Sequence, residues 1–111
     1  MRPIPKRLLC HTAQLLNVTR SEWGAETETQ VCTLQNVRLE AKHQLVTEGG
    51  NSTLKNIGTL FIDRTNSVPQ GVTPETGQIV RMGGRRYRVE TVRPVYAMNE
   101  LHHWEAGLIG C

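Results

Sequence analysis

The chain has 111 residues and a mass of 12.5 kDa, the size of one small domain, with 38% hydrophobic and 21% charged residues. Thirteen Lys and Arg against ten Asp and Glu leave a net charge of +3, too mild for charge balance alone to imply a nucleic-acid partner. No apolar run approaches the ~20 residues that span a bilayer, and none near Met1 has the length of a signal peptide, so we expect no membrane partner and a protein made and kept in a cytoplasm.

A chain of this length buries roughly two-thirds of the surface its unfolded form exposes, so one core is feasible without disulfides or a metal. The aromatics are only Trp23, Phe61, Tyr87, Tyr96 and Trp104, and the core must therefore lean on Val, Leu and Ile, which suits a small β structure. Cys10, Cys32 and Cys111 are odd in number and widely spaced. They fit neither a disulfide framework nor a paired zinc motif, and read as small buried hydrophobes or a free terminal thiol.

Arg2-Pro3-Ile4-Pro5 must be extended, because each Pro fixes φ and biases its predecessor away from the helical region; residues 1–6 read as a lead-in arm. From Lys6 to Val18 there is no Gly or Pro, and Leu8, Cys10, Leu16 and Val18 share one parity, which predicts a first strand. Ser21-Glu22-Trp23-Gly24 punctuates the chain. Over Thr27–Leu39 the residues Val31, Thr33, Gln35, Val37 and Leu39 share one strand face.

Residues Thr47–Asn56, together with His43-Gln44 before them, are rich in Gly, Ser, Thr, Asn and Lys and predict a long polar loop over 43–56. Ile57–Asp63 is an apolar run of strand length with Phe61 as its natural anchor. Asn66–Gly77, with two Pro and two Gly, predicts a second long surface connection. Gly83-Gly84 between Gln78–Met82 and Arg85–Val92 is a hairpin signal, since both turn positions tolerate φ > 0. That hairpin should turn Tyr87, Val89 and Thr91 inward and Arg86, Arg88 and Glu90 outward, with a bulge or edge near Arg93 and Pro94. Leu101–Ile109 supplies a closing strand with His102, Trp104, Ala106 and Leu108 on one face. About six short strands with Gly and Pro turns, and no βαβ alternation, predict an all-β fold: a small antiparallel barrel or sandwich with long loops, in one domain over residues 1–111.

Few constellations suggest chemistry. His102-His103 and Cys10-His11 are adjacent pairs, and a regular strand sends neighbours to opposite faces, so neither pair should ligate one metal or form a nucleophile and base. One imidazole is expected to pack near Trp104 and Tyr87, the other to pair at the surface with Glu105 or Glu100. Asp63 at a strand end should cap backbone amides in an Asx-turn. Phosphate-loop, dinucleotide and metalloprotease motifs are absent, so we expect no enzyme, no catalytic or metal residues, no cofactor and no small-molecule substrate. The strongest feature is basic: Arg81, Arg85, Arg86, Arg88 and Arg93 fall within residues 81–93, where Glu90 is the one counter-charge. Such a face is either a solvated edge that deters aggregation or a contact for an acidic partner or DNA phosphates. The second option makes a small β-barrel nucleic-acid-binding module the alternative function.

Taken in order, the Pro-containing basic arm leading into LLCHT, the central FIDRTNSVP, the GQIVRMGGRRYRVETV hairpin and the terminal LHHWEAGLI resemble the minor capsid or head-closure (head-tail connector) proteins of tailed bacteriophages. The resemblance implies a structural protein of the virion neck. It would form a homo-oligomeric ring, hexameric or dodecameric, between portal or adaptor and tail proteins, assembled in the host cytoplasm, and would help retain packaged DNA lying near its channel. It also implies a scaffold with Phe61, Tyr87, Val89, Trp104 and Leu108 in the core. The loop bearing His43, Glu48, Asn51, Ser52 and Lys55 would face a partner ring or the channel, ordering on assembly. The arm Met1–Lys6 and the terminal Gly110-Cys111 would reach neighbouring subunits.

Overall fold

The computed structural model describes residues 2–111; Met1 and the side chains of Val46 and Glu48 lie outside the described residues. After a 3-10 turn at Lys6–Leu8 come six strands: β1 (His11–Arg20), β2 (Glu26–Glu48), β3 (Asn51–Asp63), β4 (Ile79–Met82), β5 (Arg85–Ala97) and β6 (Glu100–Gly110). They close into an antiparallel barrel in the order β1-β2-β3-β6-β5-β4. The all-β expectation holds, with barrel rather than sandwich. Because every neighbour is antiparallel, the β1–β2 and β5–β6 turns lie at one end and the β2–β3 and β4–β5 turns at the other.

Every strand contributes to the interior. Ala13 and Leu15, Leu34, Val37 and Leu39, Leu60 and Ile62, Val80, Tyr87 and Val89, and Ala106 and Leu108 form one buried cluster, with Cys32, Met82, Val92 and Trp104 packed against it. Tyr87 is the bulkiest of the fully buried side chains. Burial pushes the Cys32 thiol up from its ordinary pKa. Cys10 and Cys111 are exposed, so only one of the three cysteines behaves as a core hydrophobe.

Bulges rearrange the expected faces. Opposite β1, the register skips Asn36 and Val31 on β2. Asn36 takes φ 55°, which Asn tolerates better than most residues, and its side-chain amide donates to the Asn66 carbonyl at 3.2 Å. Val37 and Leu39 therefore point inward as expected, but Leu34 replaces Gln35, and Val31 is exposed. On β1 the inward residues are Ala13 and Leu15 rather than the parity of Leu8, Cys10 and Val18; Leu16 is buried outside the main cluster. On β5 the register skips Glu90, so Thr91, expected inside, is exposed and Val92 packs on the core instead. Pro94 does not end the strand, because it pairs with Trp104 on one side and β4 has already stopped on the other.

Two further corrections concern residues 43–56 and Phe61. The segment is not a loop: β2 and β3 run through it as a hairpin turning at Gly49-Gly50, with φ 56° and 84°. Phe61 is not a core anchor, since its neighbours Leu60 and Ile62 take the interior positions and its ring lies half-buried on the outer face.

The connection from Arg64 to Gln78 is pinned at both ends. Asp63, almost fully buried, accepts the Thr65 and Asn66 amides on Oδ2 at 2.9 and 2.8 Å, the expected Asx-turn. Gln78 accepts the Glu75 amide at 2.7 Å and donates to Asn17 Oδ1 at 2.8 Å.

Candidate functional site

The feature that departs most from a plain barrel is the hairpin. The β3–β6 ladder ends at Ile57 opposite Ile109, and the β1–β2 ladder ends at Val37 opposite His11. Beyond them, from His43 opposite Asn56 to Glu48 opposite Asn51, β2 and β3 pair only with each other. This ribbon runs roughly 20 Å beyond the last β3–β6 pair, at about 3.4 Å per residue, with its base beside the β4–β5 turn and Asn56 against Gly110. Consistent with that projection, the radius of gyration is 15.0 Å, where a compact chain of this length would have about 13 Å. Both ribbon edges carry unpaired backbone donors and acceptors, the arrangement through which strands recruit further chains.

Its two faces differ. Leu39 and Leu60 line the core, and the same face continues outward through the directly opposed Leu45 and Leu54, which are 63% and 65% exposed. The barrel's interior chemistry thus runs out along the ribbon into solvent. Further out, the Thr47 and Ser52 hydroxyls meet across the strands at 3.1 Å. Of the residues expected on a partner-facing loop, His43, Asn51 and Ser52 are exposed on the ribbon and Lys55 is half-buried there. The side chain of Glu48 lies outside the described residues. The leucine pair was not singled out from the sequence, although Leu45 and Leu54 flank Gly49-Gly50 symmetrically.

The arginine-rich hairpin is partly neutralised, its five arginines facing three carboxylates. Arg81 and Arg86 both bind Glu28 of β2, Arg81 at 2.9 Å; Arg88 binds Glu90, and Arg93 binds Glu105 at 3.0 Å. Hydrogen bonding to Glu28 raises the Arg86 pKa, and bonding to Glu90 raises that of Arg88. Arg85, beside the Gly83-Gly84 turn, is exposed and has no ion pair among the described residues. Counting charges along residues 81–93 missed Glu28 because barrel closure brings it from far away in sequence. Glu28→Gln is therefore expected to make a partly neutralised basic surface more basic by releasing both Arg81 and Arg86. Fluorescence anisotropy with a DNA duplex should show weak binding for the natural protein and about tenfold tighter, salt-sensitive binding for the variant. Equal binding by both would mean the pairing does not mask the arginines.

The N-terminal arm folds back on its own barrel. The Ile4 amide donates to Asp63 Oδ1 at 3.0 Å, the Ile4 carbonyl accepts from Asn66 at 2.7 Å, and Arg38 donates to the Leu8 carbonyl at 3.3 Å. Ile4 and Leu8, with Arg38, Glu40, Phe61 and His103, line an outer cleft of about 330 Å³. The described arm residues thus make contacts within the chain, and Cys111 does the same through its amide, which donates to the Arg86 carbonyl at 3.1 Å.

His102 and His103 do not diverge. Opposite β5 the register passes from His103 to Leu101, leaving His102 as the extra residue of a bulge, and the two rings meet edge-on at 4.9 Å. His103 also bonds Glu105 at 3.0 Å, the surface pairing expected for one of the two. Among the described residues no three His, Cys, Asp or Glu side chains converge as a metal site would require. At the opposite end from the ribbon, Trp23 and Met98 stand 93% and 95% exposed on their turns.

Among the described residues no helix is long and apolar enough to cross a membrane. Residues 5–108 match the family described as minor capsid protein. The match spans nearly the whole chain, so the chain belongs to the minor capsid protein family, and its role is that of a structural component of a phage-type virion. No curated protein matches it. A solved structure titled "Virion of native gene transfer agent (GTA) particle" contains a chain of the same fold, with a TM-score of 0.62 and 13% identity over 90% of this chain and 93% of that one.

Proposed function

We propose that the protein is a neck component of the virion: a homo-oligomeric ring, hexameric or dodecameric, seated between portal or adaptor and tail proteins, joining head to tail and helping to hold packaged DNA. The observation that carries this reading is the ribbon His43–Asn56, which extends the core-facing side of β2 and β3 into solvent with an exposed leucine pair and two open edges. A 111-residue subunit has little surface to spare. A ring multiplies one modest heterologous contact and closes it on itself, so avidity replaces a large single interface. The shared fold with a chain of a gene transfer agent virion supports a particle-bound setting.

The ribbon, rather than a disordered loop, is the proposed partner- or channel-facing element, with His43, Asn51, Ser52 and Lys55 on it. The alternative of a free nucleic-acid-binding module is weakened by the ion pairs that occupy Arg81, Arg86, Arg88 and Arg93. Deleting the gene in its phage tests the reading. Electron micrographs of the lysate should show free tails beside heads that have packaged and then lost DNA. Normal joined particles would refute it.

A further inference from the structure

The arm is closed onto the barrel by an unbroken line of polar contacts. His102 Nε2 meets the Arg2 carbonyl at 2.6 Å, His102 Nδ1 meets His103 Nδ1 at 2.6 Å, His103 Nε2 meets Glu105 Oε2 at 3.0 Å, and Arg93 donates to Glu105 Oε1 at 3.0 Å. Counting protons along this line gives a definite answer. A carbonyl oxygen only accepts, so His102 Nε2 must carry a hydrogen; a carboxylate only accepts, so His103 Nε2 must carry one too. If both rings were neutral, each would then present a bare Nδ1, and two lone pairs would face each other at hydrogen-bond distance. One more proton, shared between the two Nδ1 atoms, makes every contact favourable. The pair is complete as one imidazole plus one imidazolium.

We propose that His102 and His103 form a proton-dependent clasp for the N-terminal arm, fastened while the pair holds one extra proton and loosened when that proton leaves. After its loss one of the three contacts must fail, since two neutral rings carry only two N–H groups between them. The contact that fails is the one to Arg2, because the two rings sit on adjacent residues and stay within reach of each other, whereas the Arg2 carbonyl belongs to an exposed arm residue that can move away. Glu105 is a charged acceptor fixed by Arg93, and burial, which works to raise its pKa, is outweighed by the hydrogen bonds of His103 and Arg93, which lower it. His103 therefore keeps its Nε2 hydrogen and its Nδ1 becomes the acceptor. His102 gives its single hydrogen to that Nδ1, and its bare Nε2 faces the Arg2 carbonyl. The ion-paired end of the line stays and the arm end opens.

The other charged groups around the pair are already committed. Asp63 on β3 holds the Ile4, Thr65 and Asn66 amides; Arg38 on β2 is paired with Glu40 at 3.1 Å; Arg64 is within 3.8 Å of Glu100. Arg2, on the arm itself, is exposed. Ile4 and Leu8 form the arm-side wall of the cleft around Phe61 and keep their own bonds to Asp63, Asn66 and Arg38, so loss of the Arg2 contact removes one of several ties that close this wall.

Amide hydrogen exchange on the whole protein, corrected for intrinsic rates, tests the clasp. The Ile4 amide reports the arm and the Leu15 amide reports the barrel. Between about pH 5.5 and about pH 8, where histidines change charge, Ile4 protection should fall about tenfold while that of Leu15 holds. His102→Ala should give weak Ile4 protection at both pH values with the barrel intact, and in the natural protein nitrogen chemical shifts of the two rings should show a hydrogen between the Nδ1 atoms in both samples and a hydrogen on His102 Nε2 in the acid sample only. Constant Ile4 protection in the natural protein, an unchanged pH response in His102→Ala, or two neutral Nε2–H rings beneath a protected arm would each overturn it.

Discussion

Replacing Leu45 and Leu54 together by Asp should leave the free protein folded, with its Tm moved by no more than a few degrees, and should cut the yield of joined, infectious particles at least about a hundredfold. Both leucines are more than 60% exposed, so little core packing is lost when they go. The local cost is that of two like charges directly opposed on an exposed strand pair, about 0.2–1 kcal/mol. In an interface the same change buries two unpaired carboxylates, which costs several kcal/mol at every copy of the contact. Titres from complementation of a gene deletion, beside thermal melts of the purified variant, separate the two effects. An unchanged titre would remove the ribbon from the assembly surface.

The second large effect belongs to the core. Tyr87→Ala should destabilise the barrel by about 3–5 kcal/mol, because it empties the bulkiest fully buried position. Phe61→Ala should cost only about 1 kcal/mol, since that ring lies half-buried on the outer face beneath the arm. Urea melts of both variants distinguish this arrangement from one in which Phe61 anchors the core. Equal losses would contradict the register of β3 against β2 and β6.

The contrast between those two residues shows how far the sequence could be followed. Gly83-Gly84 was legible as a hairpin because the strands beside it alternate between core and solvent. Gly49-Gly50 carries the same turn chemistry, yet most of the described side chains flanking it are exposed, so no alternation marked them and polar composition pointed to a loop. Phe61 was misplaced for a related reason: a run such as IGTLFID is apolar on both parities, and only the ladder to β6 decides which parity faces inward.

Bulges account for most of the remaining differences. Skipping Val31 and Asn36 on β2, Glu90 on β5 and His102 on β6 shifts each face by one residue, and nothing local to Val31, Glu90 or His102 announces it. Asn36 is the exception, since Asn tolerates its φ of 55° better than most residues, and its identity was a usable signal. The segment proposed as a partner surface lies where the sequence suggested a polar loop, but its form is different. The sequence pointed to residues 43–56, and the ladder supplied the ribbon, its open edges and the leucine pair. The basic hairpin was legible in composition, but its charge balance depended on Glu28, which only barrel closure delivers.

The proposed neck location is tested most directly by labelling the protein in purified intact virions with a gold-conjugated antibody and recording where the particles lie by electron microscopy. Label should be confined to the junction between head and tail. Label spread over the capsid faces or gathered at the distal tail tip would contradict it.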